Sequence, residues 1–162
     1  MKDIELLNLL ENNAKYEPKD LAIILQTDEQ VILDKVAAFE KEKIICGYHT
    51  IINWDKTHEE IVTSIIYVDA PPKRDSGYDY VARKIYKYPE VESMYLTSGK
   101  NDFIIIIHGR TMKEVANFVA TKLACIDGVT STTTLFVLQT YKANGIILAE
   151  DEKPSERLLI TP

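Results

Sequence analysis

Three histidines (His49, His58, His108) and two cysteines (Cys46, Cys125) are the side chains of this 162-residue chain best suited to nucleophilic or metal chemistry. Their spacing supports neither. HExxH and CxxC are both absent, so no zinc set is implied, and the cysteines stand too far apart in unlike contexts to form a disulfide framework. There is no Walker loop, no GxGxxG and no GxSxG elbow. His108 ends an apolar run and reads as structural, and His49 reads as a surface or hinge residue. Tyr78, Tyr80, Tyr86, Tyr88 and Tyr95 recur at helical or strand spacing and read as core and interface. The expectation is a protein without catalytic residue, cofactor or metal, and not an enzyme.

The elements around these residues fall into two blocks. Ile4, Leu6, Leu7 and Leu10 recur at helical spacing up to Asn12-Asn13. Pro18 suits the first turn of a second helix, with Leu21, Ile24 and Leu25 as its apolar face. Thr27 with Gln30 fits a capping box ahead of a third helix carrying Ile32, Val36 and Phe39 on one side. Ile44 to Trp54 is rich in β-branched and aromatic residues and reads as strand. Three short helices and a strand make a winged-type helix-turn-helix, or a three-helix cap that only packs.

The second block reads β-α-β-β-α-β. Thr63 to Asp69 is a strand, Tyr78 to Tyr88 a helix, and Val91 to Ser98 a strand. A turn at Gly99 to Asp102 leads into Phe103 to His108, whose apolar run suggests a strand buried on both faces. Thr111 with Glu114 is a capping box opening a helix through Ala124. Asp127-Gly128 then turns the chain into a strand from Val129 to Tyr141. The fold class is α+β, with a ferredoxin-like domain: four antiparallel strands and two helices on one face. Ile65 or Ile66, with Tyr95, Leu135 and Val137, would lie on the other face, which a second copy covers at least cost. The divisions expected are 1–45 helix-turn-helix, 46–58 strand and hinge, 59–142 oligomerisation domain and 143–162 tail. The tail's RLLITP (Arg157 to Pro162) reads as a docked arm or a frayed end.

Composition fits a folded protein, with 46% hydrophobic and 27% charged residues. No apolar run approaches the ~20 residues of a membrane span, and the charged N-terminal pattern is not that of a signal peptide. A cytoplasmic protein with no membrane partner is expected. Of the net charge of −6, residues 1–55 hold most, with six lysines, no arginine and eleven acids. That is unfavourable for phosphate contact.

Several stretches together resemble one family. Ile45-Cys46-Gly47-Tyr48 closes the helix-turn-helix, and PEVES (Pro89 to Ser93) leads into SGKND (Ser98 to Asp102). DGVTSTTT (Asp127 to Thr134) opens the last strand. Over roughly residues 2–142 the chain resembles the leucine-responsive/asparagine-regulator (Lrp/AsnC) family. The resemblance implies a transcription regulator, dimeric through its C-terminal sheets, in many members an octamer, and sensing small molecules that are commonly amino acids. It implies an effector site between dimers, built from Gly99, Lys100, Asn101 and Asp102 of one chain with Thr132 and Thr134 from the other side. Turn amides can hold a carboxylate there, and Asp102 can pair an α-ammonium. The turn lacks the family's usual aromatic before its Asp, and by itself Gly99 to Asp102 reads as a hairpin turn.

The resemblance also implies double-stranded DNA as a partner. Alignment back from Gly47-Tyr48 places Asp28, Glu29, Gln30, Val31, Leu33, Asp34 and Lys35 on the third helix, where family members carry Ser, Thr and Arg. Gln30 has chemistry for adenine, Lys35 for guanine or phosphate, and Glu29 or Asp34 for cytosine N4. Val31 lies off the core stripe, and Lys19 is among the lysines that reach phosphate. Repeated weak contacts in an oligomer would supply the affinity. Two alternatives stay open. One is an oligomeric sensor or protein-interaction module that does not bind DNA. The other is a siroheme-decarboxylase-like enzyme using His49 and His108 with Arg83 and Arg110.

Overall fold

In the computed structural model, which describes residues 3–74 and 77–149, the chain divides into two units, residues 1–51 and 52–162. The division falls inside the expected 46–58 connector.

The first unit holds α1 (Asp3–Asn12), α2 (Pro18–Ile24) and α3 (Glu29–Lys41). Leu6, Leu21, Ala22, Ile32 and Phe39 are its buried centre, with Leu10, Leu25 and Val36 packed around them. The buried stripe of α2 is Leu21 and Ala22 with half-buried Leu25. Ile24, expected on that face, lies to its side and is exposed.

Thr27 does not cap α3. Its N–H donates to Ala22 O (3.0 Å) and that of Gln26 to Ile23 O (3.3 Å), which closes α2 in a Schellman motif. Asp28 is the N-cap residue instead, without a side-chain cap bond, and Gln30 turns to Asp34 rather than back to Thr27. The same closure ends α3, where the Ile44 N–H donates to Phe39 O (2.9 Å) and that of Lys43 to Glu40 O (3.2 Å). The left-handed residue is Gln26 (φ 49°) in the first motif and Lys43 (φ 60°) in the second. A side chain there costs about 1 kcal/mol. Gln26→Gly is therefore expected to stabilise the first unit by about 0.5–1 kcal/mol, less what the freer unfolded chain takes back. Urea unfolding followed by circular dichroism checks this.

The expected strand from Ile44 to Trp54 does not form. A strand needs a ladder partner, and among the described residues no other segment pairs with it; only the short 3-10 turn Trp54–Lys56 is regular. High β-propensity is not enough without one.

The second unit follows the expected order: β1 (Val62–Asp69), α4 (Asp79–Ile85), β2 (Val91–Leu96), β3 (Phe103–Gly109), α5 (Met112–Phe118) and β4 (Ser131–Phe136). The sheet runs β2-β3-β1-β4, antiparallel throughout. Ile66, Val68, Phe103, Ile105 and Ile107 face the helices and are buried with Val81, Ile85, Val115 and Phe118. Ile66 is thus the core residue and Ile65 the outward one. The apolar run of β3 is buried on one face only, for Ile104 and Ile106 are half-buried on the open side.

The Thr111 capping bond is present: its Oγ1 accepts from the Glu114 N–H (3.1 Å), while Glu114 Oε2 accepts from the Arg110 N–H (2.8 Å). α5 then widens into a single π turn, Val119–Leu123, which buries Leu123. The strand expected to reach Tyr141 ends at Phe136, with one further bond from the Val137 N–H to Thr63 O (2.9 Å), because its partner β1 begins at Val62. A small hairpin of β5 (Lys142–Ala143) and β6 (Ile146–Ile147) follows, turning at Asn144 (φ 45°) and Gly145 (φ 85°). Residues 143–149 are thus ordered hairpin, and RLLITP lies outside the described residues.

Candidate functional site

The turn Gly99–Asp102 sits at the end of the sheet where β1 stops and β4 starts. Asp102 Oδ2 accepts from the Ala70 N–H (2.8 Å) and Oδ1 from the Tyr78 hydroxyl (3.1 Å), whose own pKa this carboxylate raises. Asn101 Nδ2 donates to Asp69 Oδ1 (2.8 Å) and the Ser131 hydroxyl to Asp69 Oδ2 (2.5 Å). The Ser131 bond and then the Asn101 bond hold the Asp69 carboxyl below its ordinary range against desolvation, with the Lys100 charge adding least. Thr97 closes the loop, its hydroxyl donating to Asn101 O (2.6 Å) and its N–H to Asp102 O (2.8 Å).

Inside this frame the backbone N–H groups of Gly99, Lys100 and Asn101 have no partner among the described residues. These amides are therefore left to solvent or to a ligand, and a backbone N–H carries the positive partial charge that a carboxylate accepts. An ionised carboxylate offers about four acceptor positions. Asp102, with two of them used inside the chain, keeps capacity toward an ammonium.

Thr132 and Thr134 lie opposite Val68 and Ile66, on the helix side of edge strand β4, both half-buried. Among the described residues no hydrogen bond joins either threonine to the turn. A single chain therefore gathers Gly99 to Asp102 with Asp69, Ser131 and Tyr78, and hydrogen-bonds neither Thr132 nor Thr134 to the turn. Asp69, Ser131 and Tyr78 are the members that sequence reasoning missed. Asp69 is 32 residues from Asn101 and 62 from Ser131, so no local pattern marks it.

On α3, Gln30, Val31 and Asp34 are exposed, as is Lys19 on α2. Gln30 Nε2 donates to Asp34 Oδ1 (2.9 Å). Lys35 is turned to Asp3 of α1, its Nζ reaching both carboxylate oxygens at 2.8 and 3.0 Å. Both partners of that pair are about half exposed, so it adds little to stability. It does occupy the expected cation of the reading face.

His108 is clamped on the open sheet face, Nδ1 to the Thr63 hydroxyl (3.0 Å) and Nε2 to Glu92, the extra residue of a bulge in β2. That is a structural role. The described residues contain no group of three or more His, Cys, Asp or Glu able to hold a metal ion, both cysteines are free, and no helix is long and apolar enough to cross a membrane.

A three-helix unit whose third helix exposes one side, followed by a ferredoxin-like domain with a braced turn at one end of its sheet, has the architecture of a helix-turn-helix regulator with a C-terminal ligand-binding domain. Residues 63–147 match the Lrp/AsnC ligand binding domain. The whole chain is similar to the HTH-type transcriptional regulator YugG of Bacillus subtilis, 39% identical over 99% of this chain and 97% of that one. It is also similar to the HTH-type transcriptional regulator LrpA of Pyrococcus abyssi, 30% identical over 87% of this chain and 97% of that one. The protein belongs to the Lrp/AsnC family of transcriptional regulators.

Solved structures share the fold. That of PH0061 matches with a TM-score of 0.75 at 23% identity, over 90% of this chain and 95% of that one. The NMB0573/L-Met complex from Neisseria meningitidis matches with a TM-score of 0.69 at 22% identity, over 87% and 90%. The relatives are regulators and not enzymes, which removes the siroheme-decarboxylase alternative. His108 is committed to Glu92 and Thr63 in any case.

Proposed function

We propose that this protein is a DNA-binding transcription regulator whose second domain oligomerises and senses a small molecule, an amino acid fitting best. The observation that carries the sensing half is the run of unpartnered amides at Gly99, Lys100 and Asn101, braced by Asp69 and Asp102. The effector carboxylate meets those amides and its ammonium the free acceptor positions of Asp102. Thr132 and Thr134 contribute from a second subunit, since one chain does not join them to the turn. The L-Met held by the Neisseria structure of the same fold accords with this.

Residues 1–45 act as the DNA-contacting module and 46–58 as the connector to the sensing domain at 59–142. Lys19 meets phosphate, and Gln30, Val31, Asp34 and Lys35 line the face toward the major groove. The acidic surface makes each contact weak, so a dimer or larger assembly is needed to raise affinity through effective concentration. Effector binding shifts the spacing of paired modules and hence their fit to DNA. A cytoplasmic location goes with that role. The acidic surface around α3, where Lys35 pairs with Asp3, favours a second reading, an oligomeric sensor that leaves DNA alone.

Two measurements separate them. Salt-sensitive binding of the intact protein to duplexes from its own upstream region supports the regulator, and no binding at low salt leaves only the sensor. A thermal-shift screen should find an amino acid that raises the melting point while its C-terminal amide does not. Asp102→Asn should weaken that response about tenfold or more while keeping an acceptor for the Ala70 N–H, which Asp102→Ala would strand. An unchanged response would remove Asp102 from the site.

A further inference from the structure

Gln30 and Asp34 stand one turn apart on the exposed side of α3, joined by the Nε2–Oδ1 hydrogen bond of 2.9 Å. An ionised carboxylate accepts and cannot donate, so the contact fixes which way the Gln30 amide faces. The nitrogen turns to Asp34, leaving Oε1 and one N–H of the same amide for a further partner. Lys35, next in sequence, is held by both oxygens of Asp3 on α1.

We infer that Gln30 recognises an adenine in the major groove, that Asp34 is its positioning residue, and that Lys35 does not read guanine. This rests on the DNA-binding reading above. Adenine presents an N6 amino donor beside the N7 acceptor, which matches a carbonyl and an N–H held in one plane. Guanine presents two acceptors, N7 and O6, and one of them would face Oε1 without a proton between them. The cation that would favour guanine is engaged by Asp3. Asp34 thus has a use on a surface where its charge alone opposes DNA: it selects the amide orientation before the duplex arrives. Its own contact with a cytosine amino group is not required.

The test is selection from a randomised duplex pool with the full chain and with Gln30→Ala, Asp34→Ala, Asp34→Asn and Lys35→Ala. The wild type should favour adenine over guanine about tenfold at one position of each half-site, the range expected of a good bidentate pair. Gln30→Ala should flatten that position and no other. Asp34→Ala should lower the discrimination by about a factor of two, the worth of an exposed pair one helical turn apart, while binding all duplexes as tightly or more tightly, because a negative charge is gone. A merely structural residue would not separate those two readouts. Asp34→Asn offers Gln30 a donor as well as an acceptor, no longer fixes the amide's orientation, and should keep only part of the preference. Lys35→Ala should leave the base preference at each position unchanged, any loss of affinity falling on all duplexes alike. An unchanged base preference in both Gln30→Ala and Asp34→Ala overturns the inference, as does a guanine preference that vanishes in Lys35→Ala. If the wild type retains no duplex at all, the DNA-binding reading fails and takes this inference with it.

Discussion

Ile104→Glu should leave the protein monomeric without unfolding it, where the wild type is expected to associate through its open sheet face. Ile104 lies on the open sheet face near the start of the inner strand β3, paired across to Tyr67 on β1 and Tyr95 on β2. Ile65, Ile106 and Leu135 share that face, and Tyr95 and Leu135 remain about half exposed in the single chain. A contiguous apolar face of this kind marks an interaction surface. If two copies bury it about a two-fold axis, each substitution enters the contact twice. Burying an unpaired carboxylate costs several kcal/mol, so the dissociation constant should rise by about three orders of magnitude or more. Sedimentation equilibrium reads the mass. The side chain points away from the helices, so the circular dichroism spectrum should hold. A wild type that is monomeric at micromolar concentration would remove the interface, and with it the source of Thr132 and Thr134 for a shared site.

The second domain was legible because its periods change sharply along the chain. Alternation in Val62–Asp69 and the apolar run of β3 are separated from helical spacing in α4 and α5 by Pro71-Pro72, Pro89 and the Thr111–Glu114 cap. What was not legible depended on partners distant in sequence or not present in one chain. Ile44 to Trp54 has the residues of a strand and pairs with no other segment among the described residues. Both α2 and α3 end in left-handed residues that are not glycine, Gln26 and Lys43, so the usual mark of a helix end is missing. One signal was simply passed over: Asn144-Gly145 is a strong two-residue hairpin turn, and it makes β5 and β6.

The candidate site divides in the same way. Gly99 to Asp102 declared itself as a turn, but its bracing by Asp69 and Ser131 is a long-range fact that only the fold supplies. On α3 the residue types were readable and their pairing was not. Lys35 looked like the one basic reader until α1 brought Asp3 to it across 32 residues.

Gly128→Ala should destabilise the second domain by about 3 kcal/mol, the sum of a strained backbone and a steric overlap. Gly128 has φ 104°, which a side chain adopts only at cost, and an added Cβ would stand 2.8 Å from Val81 Cγ2. Val81 is buried in the same core cluster as Ile85 and the inner sheet residues and has little room to move. The loop is also held on its far side, where the Val129 N–H donates to Ile126 O (3.0 Å) and that of Thr130 to Asp69 O (2.8 Å). The strain therefore passes into the start of β4, which carries Ser131, Thr132 and Thr134. A double-mutant cycle separates the two causes. Val81→Ala alone opens a cavity and destabilises, but it removes the atom that the new Cβ meets. If the overlap contributes, Gly128→Ala should cost less in the Val81→Ala background by about 1 kcal/mol, the remainder being the backbone share. Strictly additive losses would mean that φ alone accounts for the glycine. Any effector response lost in Gly128→Ala but regained in the double variant would show that the placement of β4, and not only global stability, sets the site.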